Sequence, residues 1–209
     1  MTADKERPCT SFAVTSAKPS EGKSLTAANI AISYAMLGKK VLLIDADMRK
    51  PTQRRLWRVE KPTGLCDFLA KISKLELDKV KDLPLWIVCT GTIPPNPSEL
   101  LSSERMKHFL EESAKVYDYI IIDTPPINTV ADAQIVSTYV DGVVLVVKSG
   151  DTTEDELNEA IDAVRRAGGN LCGTVLNDLN MKSVKYAYKY KYGGKYGYKY
   201  SYSESYEAR

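Results

Sequence analysis

Histidine is the scarcest residue of this chain, with one in 209. That residue, His108, lies in a helix-length segment crowded with charges, and it is read as a solvated or half-buried structural side chain rather than a catalyst. The four cysteines (Cys9, Cys66, Cys89 and Cys172) are far apart and form no CxxC pair. Their spacing argues against a disulfide or zinc framework and fits free thiols in a reducing cytosol. No apolar run reaches the roughly 18–20 residues that a membrane-spanning helix needs. The opening segment Met1–Pro8 is charged and polar, so no signal peptide is expected. Neither sign of charge prevails: 29 Lys and Arg face 27 Asp and Glu, a formal +2. A dedicated nucleic-acid binder is therefore not expected.

What is present fits one α/β domain with an appendage, since domains commonly run to about 100–200 residues. Apolar residues make up 44% of the chain, enough for an ordinary globular core. Short apolar runs alternate with amphipathic segments of helix length, the pattern of a parallel sheet covered by helices on both faces. Strands are expected near Ser11–Thr15, Lys40–Ile44, Leu85–Val88, Tyr119–Asp123, Gly142–Val147 and Leu171–Leu176. Helices are expected near Lys23–Leu37, Gly64–Lys71, Ser98–Tyr117, Ala131–Tyr139 and Glu154–Ala167. The run Asp151–Glu156 reads as a helix N-terminus, with threonine caps and carboxylates suited to the dipole. Trp57 and Trp86 sit near apolar runs and are expected to pack. Arg54, Arg55 and Arg58 read as a basic, solvated helical face.

Composition changes abruptly after about Met181. Residues 185–206 hold nine tyrosines interleaved with Lys, Gly and Ser, and no Leu, Ile, Phe or Met. Such a segment cannot add a conventional core. The expected division is an α/β domain over residues 1–180 and a flexible, tyrosine-rich tail over 181–209. Tyrosine at every second position on both sides of Gly193-Gly194 also suits a β-hairpin, and the composition alone suits a low-complexity tract.

Three motifs carry chemistry. Ala17-Lys18-Pro19-Ser20-Glu21-Gly22-Lys23-Ser24, followed by Leu25, fits a Walker A phosphate loop with Ala where Gly more often opens it. It follows an apolar strand and opens a helix, so its amides and the helix dipole are placed to hold phosphate oxygens. Lys23 is expected at the β- and γ-phosphates, with the Ser24 hydroxyl on Mg²⁺. A second strand ends in Asp45-Ala46-Asp47-Met48-Arg49, with carboxylates in alternate positions. A third ends in Asp123-Thr124-Pro125-Pro126, a Walker B pattern. Ligands of open parallel sheets bind beyond the carboxyl ends of the strands, where all three motifs converge. Carboxylates there can hold Mg²⁺ or accept a proton; capping of helices or turns is the plainer use for them.

These residues resemble the bacterial tyrosine kinases of capsule and exopolysaccharide synthesis. The resemblance runs from about Phe12 to the tail. Besides Ser16–Ser24 it rests on Asp45–Pro51, Gly64-Leu65, Pro94–Leu101, Tyr117–Pro126 and Asp141–Val147. No HRD, DFG or VAIK run of the eukaryotic kinases is present, so kinase chemistry would be built on the P-loop. The resemblance implies ATP and Mg²⁺ as cofactors. Ala17, Lys18, Pro19, Ser20, Glu21, Gly22, Lys23, Ser24 and Leu25 would bind nucleotide, and Asn177 would contact adenine. Asp47 and Asp123 would join Ser24 at the metal, Asp45 would take the tyrosine proton, and Arg49 would sit beside the phosphates.

The resemblance also turns the tail into the target. Tyr186, Tyr188, Tyr190, Tyr192, Tyr196, Tyr198, Tyr200, Tyr202 and Tyr206 become candidate phosphoacceptors. Residues 182–209 carry six Lys and one Arg against two Glu, a formal +5. Roughly three phosphates, at about −1.5 to −2 each, would cancel that charge and could loosen subunit association.

The implied partners are a membrane-spanning activator of the polysaccharide co-polymerase type, a cognate tyrosine phosphatase and further copies of the chain. The activator would recruit a cytoplasmic kinase to the inner face of the plasma membrane. Two departures stand out. Ser20 replaces a usual Gly, and the family's N-terminal helix with an E-x-x-R-x-x-R-like pattern, used in subunit contacts, is not in this sequence. The competing reading is a MinD/ParA-type nucleotide-switched ATPase, because Lys18 lies five residues before Lys23 where that group places a signature lysine. A chaperone-like ATPase that loads metal clusters is disfavoured by the lack of CxxC.

Overall fold

A computed structural model describes residues 10–179. Cys9 and the candidate phosphoacceptor tyrosines lie outside these residues. Seven strands are formed: β1 Ser11–Ser16, β2 Val41–Asp45, β3 Asp78–Lys79, β4 Leu85–Val88, β5 Tyr119–Asp123, β6 Gly142–Lys148 and β7 Leu171–Asn177. The helices are α1 Lys23–Met36, α2 Gln53–Trp57, α3 Leu65–Leu69, α4 Pro97–Leu101, α5 Glu104–Ala114, α6 Asp132–Ser137 and α7 Glu154–Arg166. The sheet order is β3-β4-β2-β5-β1-β6-β7, parallel throughout except for the two-residue β3.

Strand periodicity explains the layers. Val41 and Leu43 of β2 join Val14, Ile121, Val146 and the alanines of α1 in one buried cluster. Leu42 and Ile44 join Ile120, Ile122, Leu145 and residues of α3, α5, α6 and α7 in the other. Because alternate side chains enter opposite cores, the strands read as continuous apolar runs. Helix α1 turns Ala27, Ala28, Ala31 and Ala35 to the sheet.

Six expected strands are found, with ends shifted by at most a residue. The long helix expected over Ser98–Tyr117 is instead two. Ser103 stops the first and starts the second: its Oγ donates to Leu100 O at 2.7 Å and accepts from Met106 N at 3.2 Å. A serine that satisfies both ends is a local competitor to a continuous helix. The short β3 was not expected as an element, whereas the helical face expected at Arg54, Arg55 and Arg58 is the short α2, with Arg58 as its C-cap. Arg54 of α2 donates to the carbonyls of Val59 and Glu60, so it closes the helix end instead of only facing solvent.

Thr153 caps α7 in a box with Glu156, as the acidic run implied. His108 is 72% exposed on α5 with Glu111 nearby, in line with the structural reading. Trp57 and Trp86 pack against the two cores, and Cys66, Cys89 and Cys172 are free thiols. No helix among the described residues is long and apolar enough to cross a membrane.

Candidate active site

The order of the sheet brings the motifs together. β5 lies between β2 and β1, and Asp123 pairs in register with Asp45 on one side and Val14 on the other. The three carboxyl ends therefore open into one crevice, at which α1 begins. A cavity of about 480 Å³ there is lined by Ser20, Gly22, Lys23, Ser24, Asp47 and Arg49, with apolar walls from Leu25, Leu56, Pro126 and Val130.

The turn into α1 needs unusual backbone. Ser20 has φ 68° and Gly22 has φ 90°. At Gly22 a Cβ would also stand 2.1 Å from Asn177 Nδ2, so both conformation and space select glycine. Ser20 adopts the left-handed conformation despite its side chain, so the serine substitution leaves the loop formed but strained. Asn177 ends β7 and donates to Glu21 O at 2.9 Å. It belongs to the wall of the phosphate loop.

Lys23 Nζ lies 2.8 Å from Asp47 Oδ2, 3.3 Å from Asp123 Oδ1 and 3.2 Å from Ser24 Oγ. Burial alone would lower its pKa, but Asp123 and Asp47 outweigh that and raise it. Asp123, fully buried, is pushed up by desolvation despite Lys23, Ser24 and Gln53 holding its charged form. Asp45 is raised to about 7, first by burial and then by repulsion from Asp123.

Asp45 is placed differently from its neighbour. It is fully buried, and its Oδ2 accepts from the amides of Thr52 and Gln53 at 3.0 and 2.9 Å. Of the two strand-end carboxylates of β2, Asp47 lines the cavity and Asp45 stands behind it. Arg49 reaches the cavity rim, where Nε and a terminal nitrogen make a forked pair with the buried Asp132 at 2.8 and 3.2 Å. Lys18 Nζ is engaged within its own chain, 3.0 Å from Glu156 and 2.9 Å from Asp151 O.

Three supporting residues were not singled out from sequence. Gln53, fully buried, donates to Ser24 O at 3.0 Å and Asp123 Oδ2 at 2.9 Å, while accepting from Trp57 Nε1. Asp132 anchors Arg49, and Ser98 donates to Asp132 at 2.6 Å. A polar residue that becomes buried only through a long-range partner leaves no periodic signal in sequence.

The donor set fits a magnesium nucleotide. Asp47 and Asp123 share the one Lys23 ammonium, so negative charge is left over for a cation. Among the described residues no three His, Cys, Asp or Glu are grouped to hold a metal by themselves. Mg²⁺ commonly takes one or two carboxylates and leaves the rest to water and phosphates.

Residues 10–170 match the family model of the AAA domain. The chain is 44% identical over 189 residues to tyrosine-protein kinase YwqD of Bacillus subtilis, which covers 89% of this chain and 80% of that protein. It is 38% identical over 178 residues to tyrosine-protein kinase CpsD of Streptococcus pneumoniae, covering 84% and 78%. The kinase domain of Escherichia coli tyrosine kinase ETK superposes with a TM-score of 0.81 at 32% identity, over 92% of this chain and 74% of that one. MinD of Pyrococcus horikoshii, complexed with Mg-ADP, superposes with a TM-score of 0.68 at 20% identity over 80% and 69%, a likeness of fold. Kinases at 38–44% identity over most of this chain, with a kinase domain that superposes on it, show that the chain belongs to the bacterial tyrosine-protein kinases, built on a P-loop ATPase fold.

Proposed function

We propose that the chain is an ATP-dependent tyrosine autokinase that transfers the γ-phosphate to the tyrosines of residues 186–206. The observation that carries this is Lys23, held against Asp47 and Asp123 at the start of α1. When bound, Mg-ATP supplies the transferable phosphoryl group and the charge that neutralises the leaving oxygens. Lys23 would turn from the carboxylates to the phosphates, leaving Asp47, Asp123 and Ser24 to hold the metal through oxygen. Amides from Ser20 to Ser24 would cradle phosphate oxygens at the dipole of α1. Asp45 is the group proposed to take the phenol proton. A pKa near 7 suits a general base at neutral pH, and access requires Thr52 and Gln53 to release its Oδ2. Arg49, oriented by Asp132, would steady charge at the rim.

The same reading extends to partners and place. A membrane-spanning activator would recruit the chain to the inner face of the plasma membrane, a phosphatase would oppose it, and copies would phosphorylate one another's tails. The regulated process would be capsular or exopolysaccharide synthesis.

Labelled ATP with Mg²⁺, followed by phosphotyrosine mapping, tests the proposal. Label is expected in residues 186–206, and it should vanish in Lys23→Met and in a truncation at Met181. Free phosphate released with no label on the tail would overturn the kinase reading in favour of a MinD/ParA-type switch.

A further inference from the structure

Glu21 presents an unusual combination: a carboxylate in the middle of a phosphate-binding loop, 1% exposed, and turned away from the phosphate side. It lies between Ser20 and Gly22, both at positive φ. Its Oε2 accepts from the amide of Lys18 at 2.9 Å, closing the loop on itself. Its Oε1 accepts from the hydroxyl of Thr152. That hydroxyl in turn accepts from Lys148 N at 2.8 Å, so Thr152 is fixed in the turn joining β6 to α7.

The same turn and strand edge grip the loop at further points. Asn177 donates to Glu21 O, and its own carbonyl accepts from Ser149 N at 2.9 Å. Lys18 Nζ donates to Asp151 O and pairs with Glu156 of α7. Inside the loop, Ser16 Oγ donates to Lys18 O at 2.8 Å.

A loop with two left-handed residues, one of them serine, has cheaper conformations available unless something restrains it. The peptides around Glu21 decide where the amides of Gly22 and Lys23 point. A loop fixed beforehand does not have to be ordered when phosphate arrives. We propose that Glu21 and Thr152 form a positioning pair that holds the phosphate loop in its nucleotide-binding shape, so that affinity is set in part from the β6–α7 turn. The pair touches no reacting atom. The inference rests on the reading of this loop as the nucleotide site.

The test uses the full chain, with ADP as the probe, in titration calorimetry and thermal unfolding. Thr152→Val removes the hydroxyl and keeps the shape; it is expected to weaken ADP binding by roughly tenfold, the scale of one lost hydrogen bond. Thr152→Ser restores the donor and should bind within about twofold of the parent. In turnover, Thr152→Val should raise the KM for ATP by the same factor and leave kcat within about twofold, because the loop is correct once filled.

Parent-like ADP binding by Thr152→Val would overturn the pair, and so would equal losses in the Val and Ser variants. Should Thr152→Val not fold, Glu21→Met serves instead. It has a similar reach and no oxygen to accept from Lys18 N or Thr152, and parent-like ADP affinity in it would overturn the pair. A parent that binds ADP yet places no label on tyrosine would sink the autokinase reading while the ADP series still judged the pair.

Discussion

Gln53 shows how much of this site hangs on single buried contacts. One amide spans Ser24 O, Asp123 Oδ2 and Trp57 Nε1. Replacing it by an isosteric apolar group strands a carbonyl and a carboxylate oxygen that no water can easily reach. Gln53→Leu is expected to lose about 1–3 kcal/mol, measured by urea unfolding, together with most tyrosine phosphorylation. Unchanged stability would mean that the neighbours find other partners. Gly22 is the counterpart at the backbone. An alanine there would combine the cost of a left-handed residue, about 1–2 kcal/mol, with a Cβ at 2.1 Å from the Asn177 amide. Gly22→Ala should abolish ADP binding detectable by calorimetry.

Neither Gln53 nor Asp132 was legible as a site residue in the sequence, whereas Lys23, Asp47 and Asp123 were. Motif residues declare themselves because the chemistry requires their type and spacing. Their supports are chosen by whichever side chain the fold happens to bring near. Asp45 falls between these cases: the motif marks it, but only the packing of α2 reveals that its Oδ2 is already taken by the amides of Thr52 and Gln53.

The elements divide along similar lines. Strands β1, β2, β5 and β6 are read from unbroken apolar runs, since burial on both faces leaves no alternation to confuse the pattern. Helix α7 announces itself by Thr153 and Glu156, whose side chains complete each other's backbone bonds. The segment of α4 and α5 was misread as one helix because amphipathic spacing continues across the break at Ser102-Ser103. The Ser103 hydroxyl decides that break locally. Ser103→Ala should therefore cost about 1 kcal/mol, the usual scale of a lost N-cap, and leave phosphotransfer intact, since α5 packs on the sheet away from the cavity. A thermal scan beside an autophosphorylation assay reads both; loss of activity without loss of stability would contradict this division.

Across the whole molecule, two carboxylates fasten distant segments. Asp141 at the foot of β6 is pushed up by burial, but donors from Thr10 and Ser11 outweigh this and leave its pKa below the usual 3.8. Asp67 behaves alike: burial raises it, and the amides of Thr92 and Gly64 bring it down. For a folded pKa below the unfolded one, the stabilisation is present above the unfolded value. It is lost as pH falls through the folded value. Unfolding free energy from these groups should stay flat from neutrality to about pH 4 and decline below it. Asp141→Asn should be less stable at pH 7 and show a shallower acid slope; an identical slope would remove Asp141 from the account.

The sequence by itself determined the α/β class, the placing of the main strands and the phosphate loop. It also marked the acidic strand ends that face that loop. Each of these depends on local residue type, on periodicity or on fixed spacing, which are properties of a one-dimensional string. Tertiary structure decided which carboxylate lines the cavity, that Arg49 is aimed by Asp132 and that Lys18 is held by α7. It also tied Glu21 to a turn more than a hundred residues away. Those relations follow from strand order and from the need to partner every buried polar atom, and no local pattern records either.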